Sequence, residues 1–197
     1  MITIGFSKPV VAKYSRSGNT VTYSDGMALG RGVSVEVSVE ASDDNNFYSD
    51  NVIAESDAGR FVSGSLATVV DGLNPAAADL LFALPEETEI NGVKMVGYND
   101  NLNPQYVGFG FLRLARENGA DSYWPVVLPK VKFALPSETA ETKAESINWQ
   151  TQDLAATILR DDTAAKNWKL VTKTGYATED EAYAVLCAVL GIPTAAE

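Results

Sequence analysis

Hydrolytic and group-transfer chemistry needs a nucleophile beside a base, and this chain offers little of either. Its 197 residues hold no histidine and a single cysteine, Cys187. Without histidine there is no Ser-His-Asp or Cys-His nucleophile and no histidine metal site. One cysteine makes neither an intrachain disulfide nor a cysteine-cluster zinc site. Between Leu186 and Ala188, in a helical pattern, it reads as a small interior residue. Asp43, Asp44 and Asp50 lie close together in ASDDNNFYSDN and invite a calcium reading. The EF-hand pattern fails there, because Phe47 falls where a ligand is needed and no glycine follows at the required offset. Gly108 and Gly110 do not make a dinucleotide fingerprint, since Arg113 stands in place of the third glycine, so they mark a bulge or a close backbone approach. The other carboxylates sit in turns and on alternating strand faces, where solvated surface is the ordinary role. A glycosidase would need two of them roughly 5 to 9 Å apart, which spacing along the chain does not fix. No catalytic, metal-binding or cofactor-binding set is expected.

What remains is contact chemistry. Phe47 and Tyr48 stand inside a polar, turn-rich segment, where aromatic side chains are candidate partner contacts unless the loop folds them inward. Trp124 and Tyr106 could serve as stacking platforms in a monomeric ligand- or carbohydrate-binding module. The net charge of −11 argues against a nucleic-acid-binding surface, which depends on basic neutralisation of phosphates. It suits solubility, or a surface that repels polyanions. The N-terminal MITIGFSKPVVAK lacks the basic-then-apolar plan of a secretory signal, and no apolar run approaches the roughly 18 residues of a membrane span, so synthesis in the cytoplasm is expected.

The elements that must position these residues are mostly strands. Trp124–Leu159 reads as two strand-like halves around a polar connection. Val127, Pro129, Val131, Phe133 and Leu135 share one face, and Lys130, Lys132 and Ala134 the other. In the second half Ile147 and Trp149 are out of phase with Leu154, Ala156 and Ile158, which predicts a bulge or a change of sheet between Gln150 and Asp153. Val33, Val35, Val37 and Val39 alternate with Ser34, Glu36, Ser38 and Glu40, a valine core face opposite an acidic wet face. Hairpins are expected at Ser17-Gly18-Asn19, Asn91-Gly92 and Glu117-Asn118-Gly119, and a turn at Ser24-Asp25-Gly26. Further strands are expected at Val52–Ala54, Phe61–Val70 with Val62, Leu66 and Val70 on one face, Val93–Tyr98, Tyr106–Ala115 and Trp168–Thr172. Asn74-Pro75 opens a short helix with Leu80, Leu81 and Leu84 as its stripe. Thr178–Glu181 is a capping box before a helix whose stripe is Ala182, Val185, Leu186, Val189 and Leu190. The sum is a single mainly β domain: two packed antiparallel sheets, a sandwich or open barrel, flanked by one or two short helices.

Several separated runs carry a resemblance: VTYSDG at 21–26, YSDNVIAESD at 48–57, AAADLLF at 76–82, YVGFGFLRLARENG at 106–119, and above all VKFALPSETAETKAESINWQTQDLAATIL. Together, over about Phe6 to Leu190, the chain resembles the major tail proteins of long-tailed, non-contractile bacteriophages. That resemblance implies a structural virion protein, not an enzyme and without cofactor. It implies a tube-forming fold like that of the type VI secretion tube protein, with six subunits closing a ring and rings stacking into the tail tube. The tube would enclose the tape-measure protein, meet tail terminator and distal tail or baseplate proteins at its ends, and pass DNA during ejection without specific binding. The immunoglobulin-like C-terminal domain of many relatives is not expected. Under this resemblance Asp43, Asp44, Phe47, Tyr48 and Asp50 are candidate contacts to the next ring, and Glu36 and Glu40 candidate lumen-facing acids. Ser137, Glu138, Glu141, Lys143 and Glu145 form a candidate connector between subunits.

Overall fold

The computed structural model describes residues 1–142 and 149–193. Three long strands make its centre: β1 (Ile2–Ser17), and further along the chain a hairpin whose strands span Tyr106–Glu117 and Ala120–Phe133. Its turn residues Asn118 and Gly119 have φ of 52° and 83°, a left-handed pair that matches strand twist and that asparagine and glycine adopt at low cost. Between β1 and that hairpin come β2 (Thr20–Ala28), β3 (Gly32–Ala41), β4 (Asn45–Ser49), β5 (Val52–Asp57), β6 (Phe61–Val70), α1 (Pro75–Phe82), β7 (Thr88–Ile90) and β8 (Val93–Met95). The central hairpin is therefore β9–β10, followed by β11 (Gln152–Leu159), β12 (Leu170–Val171) and α2 (Glu179–Leu190).

The main sheet is antiparallel and eight-stranded, in the order β2-β1-β9-β10-β11-β6-β3, with β12 added beside β10. It curls until β3 approaches β1, where the Phe6 ring lies directly against Gly32. The mainly β, sandwich-like open barrel expected from the alternation is thus built from one continuous sheet. The concave side holds Leu66, Val70, Phe109, Phe111, Leu128, Val131, Phe133, Leu154 and Ile158, closed by Ala77, Leu81 and Phe82 of α1. On the other side Val10, Ala12, Leu112 and Val127 meet Ala182, Leu186 and Leu190 of α2. Both helix starts are as expected: the Asn74 side chain accepts from Ala76 N–H at 3.1 Å, and Thr178 Oγ1 from Glu181 N–H at 3.3 Å.

The expected phase switch exists, but elsewhere. Val127 belongs to the α2 side and Val131 and Phe133 to the concave core, so they do not share a face. The β9–β10 register slips between Leu128 and Val131. Pro129, which has no N–H for the ladder, sits in that bulge, and its carbonyl accepts from Tyr23 Oη–H at 3.0 Å. Near Gln150 there is no bulge: β11 simply starts at Gln152 and pairs with β6 without a slip. Trp149 lies outside the strand, and Ile147 outside the described residues. Ser24-Asp25-Gly26 is not a turn but part of β2, where Asp25 (φ 53°) lies opposite the slip between Val11 and Lys13. Val62 and Leu135 share the parity of core residues yet are exposed: Val62 is the residue skipped where the β3–β6 register slips between Ser63 and Phe61, and Leu135 lies past the end of β10. The Val93 strand stops at Met95, the Trp168 strand is only Leu170–Val171, and Val189 is exposed while Cys187 is buried.

Candidate functional site

The segment holding Phe47 and Tyr48 is a hairpin, not an irregular loop. β4 pairs with β5 alone, separate from the main sheet, with a slip between Phe47 and Tyr48. Asp50 and Asn51 form its tip with φ of 50° and 64°, a left-handed pair that fixes the direction of the end. Phe47 and Tyr48 are 65% and 62% exposed, and Val52 and Ile53 stand beside them. The inward-folding alternative is thereby excluded. At the base, Asp44 Oδ1 accepts from Gly59 N–H at 2.7 Å and Ser42 Oγ from Arg60 N–H at 3.0 Å, clamping the hairpin to the ends of β3 and β6. Asp44 is thus a structural clamp, while Asp43 and Asp50 are exposed. Among the described residues no three His, Cys, Asp or Glu side chains group as metal ligands would.

Glu36 and Glu40 fall on the wet face of β3, as the alternation requires. Register extends that face across the sheet. Glu36 is opposite Ala67, itself opposite Ala155, and Ser38 is opposite Ser65, itself opposite Thr157. Glu40 is opposite Ser63, whose hydroxyl donates to Glu40 Oε2 at 2.8 Å. The result is a smooth surface of small side chains with acids but few bulky groups. The reverse rows enter the core: Val37 with Leu66 and Ala156, and Val35 with Thr68 and Leu154.

The connector after β10 leaves the sheet at Ala134. Ser137, Glu138 and Glu141 are exposed and outside any strand, while Lys143 and Glu145 lie outside the described residues. Gln152 Nε2 donates to the Ser137 carbonyl at 2.8 Å, and Gln150 Nε2 to Glu141 at 3.4 Å, so the connector is held to the start of β11.

Each of the expected stacking platforms has a cation beside its ring. Trp124 is half-buried, its Nε1 donates to Ser122 Oγ at 2.9 Å, and the Arg113 guanidinium covers its ring at 5.8 Å. The Lys130 ammonium lies 4.6 Å from the centre of the Tyr106 ring. Among the described residues the most exposed aromatic is Trp149, at 83%, which lies outside the strand that its expected parity with Ile147 implies. Ile90, Val93 and Met95 form a second exposed apolar hairpin around Asn91-Gly92, legible as a turn but not as a surface.

One ionic cluster is built into the fold. Asp162 accepts from Lys130 Nζ at 2.7 Å and from Tyr14 Oη at 2.8 Å, with Arg16 at 3.3 Å, and its own N–H donates back to Tyr14 Oη at 2.9 Å. The Lys130 bond holds the Asp162 carboxyl below its ordinary range, and burial together with the Asp162 bond pushes Tyr14 up to about 12. Buried Asp161 accepts from Thr163 Oγ1 and Asn167 N–H at 2.7 and 2.9 Å, shaping the adjoining loop. These contacts anchor the loop before β12. Cys187 is buried against Tyr183, and burial pushes its thiol up, away from nucleophilic reactivity. No helix among the described residues is long and apolar enough to cross a membrane. No protein-family model and no curated protein matches the chain.

Proposed function

We propose that this protein is a tail tube subunit of a long-tailed, non-contractile bacteriophage, closing hexameric rings that stack into the conduit for DNA. The observation that carries the reading is the combination of an open-edged sheet with a clamped hairpin that projects apolar side chains into solvent. A monomer gains nothing by exposing Phe47, Tyr48, Val52 and Ile53 together, whereas a subunit needs such a knob. The outer edges of β2 and β3 are unpaired ladders, a hazard in a monomer and a docking element when neighbours pair with them in a closed ring. The smooth acidic face of β3, β6 and β11 suits a lumen wall, since small side chains leave room and Glu36 and Glu40 repel passing phosphates. In this reading the virion is the site of action, and the tape-measure protein, tail terminator and distal tail proteins are the partners.

Negative-stain microscopy of the purified chain, with mass from light scattering, tests it. Rings or tubes with masses at multiples of six subunits are expected. A discrete 21.1 kDa particle at every concentration, with a melting point that rises on adding sugars, would instead favour the ligand-binding module.

A further inference from the structure

The chain carries 26 acidic residues against 15 basic ones, so a pair of cations without a carboxylate needs a reason. Arg113 and Lys169 are such a pair. They line one cleft of about 410 Å³ where the curled sheet leaves β3 short of β1, and its apolar wall includes Phe6, Val35, Val37 and Phe111. Arg113 Nε is buried and has no hydrogen-bond partner among the described residues, and neither cation makes an ion pair there. Burial and the neighbouring Arg113 charge push the Lys169 ammonium down. Buried polar groups are normally satisfied, and a guanidinium N–H with no acceptor beside a second cation suits a carboxylate.

The complementary object is in the same molecule. From Ala41 to Gly59 there are five carboxylates (Asp43, Asp44, Asp50, Glu55 and Asp57) and no cation. The β4–β5 hairpin thus offers what the cleft lacks, exposed apolar side chains next to negative charge. It does not reach its own cleft. The hairpin is rooted after Ala41, whereas the cleft is lined by Val33–Val37, about 20 Å back along β3 at roughly 3.3 Å per residue. The clamps at Asp44 and Ser42 hold its base at the far end of that strand, and none of its residues lines the cleft. Knob and socket at opposite ends of one strand make a head-to-tail contact, which closes a ring or extends a stack.

We infer that the Arg113–Lys169 cleft is the socket for the β4–β5 hairpin of a second copy, with hairpin carboxylates meeting the two cations and Phe47 or Tyr48 entering the apolar wall. The inference rests on the assembling-subunit reading, and it names the receiving surface.

The test uses the full chain with Asp50→Cys and Lys169→Cys, treated with a short bismaleimide and run on a denaturing gel. Cys187 is buried and does not compete. A ladder of covalent multimers is expected, lost in either single variant. Charge exchange supplies the second readout. Lys169→Glu and Asp50→Lys should each raise the concentration needed for assembly about tenfold, and the two together should recover to within about threefold of the parent. Rings or tubes without the ladder overturn the socket and leave the tube reading standing. A ladder without rings or tubes keeps the socket and removes the tube. Full additivity of the two charge variants overturns the pairing. A monomer that gives no ladder, with octanoate raising its melting point, overturns both in favour of a small amphipathic anion in the cleft.

Discussion

Replacing Phe47 and Tyr48 with serine is the most informative perturbation of the hairpin. The two side chains are 65% and 62% exposed, so the folded monomer has little to lose. An aromatic side chain offers about 200 Å², leaving about 125 Å² on each for a neighbour to cover, or about 3 kcal/mol apiece at 25 cal/mol per Å². The gross figure of about 6 kcal/mol is not all realised, because side-chain ordering and imperfect cover take a share of it. If half survives, about 3 kcal/mol is removed from each contact, a loss of about a hundredfold in its equilibrium constant. Thermal unfolding of the variant should stay within about 2 °C of the parent, since exposed substitutions stay within about 0.5 kcal/mol. Sedimentation velocity across a concentration series, with microscopy of the same samples, measures the shift. Assembly at the parent's concentration, with folding unchanged, would refute the hairpin as a contact. A large drop in melting point would refute the premise that it is a free-standing knob.

Gly110→Ala should lower stability by about 1–3 kcal/mol, because the new Cβ would lie 2.6 Å from Leu186 Cδ1 and 2.7 Å from Leu190 Cδ1 on α2. Gly72→Ala, with nothing within 4 Å, is the matched control, and urea titration separates the two. Tyr14→Phe should cost about 1–3 kcal/mol by leaving Asp162 N–H without its partner and Oδ2 with Lys130 Nζ alone. In the parent, Tyr14 is raised to about 12, so its contribution is full below about pH 10 and is lost as pH climbs towards 12. The lowered Asp162 works the other way, its contribution being present above about pH 4 and lost as pH falls through its folded value. Denaturation curves from pH 2 to 12 should therefore show a shallower alkaline decline in the Phe variant, and identical slopes would sink this account of the cluster. Glu36→Lys with Glu40→Lys should leave folding intact and slow DNA delivery by assembled particles. Unchanged delivery removes the lumen role from that face.

The legible parts of this chain were those set by local chemistry. Asn91-Gly92 and Asn118-Gly119 announce turns because few other pairs accept two left-handed residues, and Asn74 and Thr178 announce helix starts through the donors they satisfy. The valine alternation of β3 is visible because Val35 and Val37 pack half-buried on the core while Glu36 and Glu40 stay wet, although Val33 and Val39, expected on the core face, are exposed. The β10 bulge was not, since Val126–Pro129 is apolar on both faces, covered by α1 on one side and α2 on the other, and an uninterrupted apolar run carries no phase. Of the bulge or close approach expected at Gly108 and Gly110, the structure has a close approach, by the Tyr23 ring at Gly108 and by Leu186 and Leu190 of α2, some 80 residues further on. Of the β4–β5 hairpin only Val52–Ala54 reads as a strand from the sequence, because a two-stranded arm with no core against it needs no alternation. Arg113 and Lys169 were invisible as a pair, for only the fold brings them together.

β3 is where folding and the proposed assembly impose one requirement. Its pairing with β6 puts Val35 and Val37 inward and Glu36 and Glu40 outward. A slip of one residue would turn Glu36 into one of the half-buried positions that face the core, where its charge would be partly desolvated. The alternation that folds the strand therefore also fixes the acidic face, and no separate device is needed to keep it acidic. The same strand is incompletely covered, with Val33 at 56% and Val39 at 44% exposure and its outer ladder unpaired. Lone edge strands of this kind favour open-ended aggregation unless charge or a neighbour blocks them. The carboxylates repel a second β3 laid face to face, yet they leave the ladder edge and the two terminal valines available. An approach from the side is thereby permitted while stacking of wet faces is not, and a side approach repeated by rotation closes a ring instead of growing an aggregate.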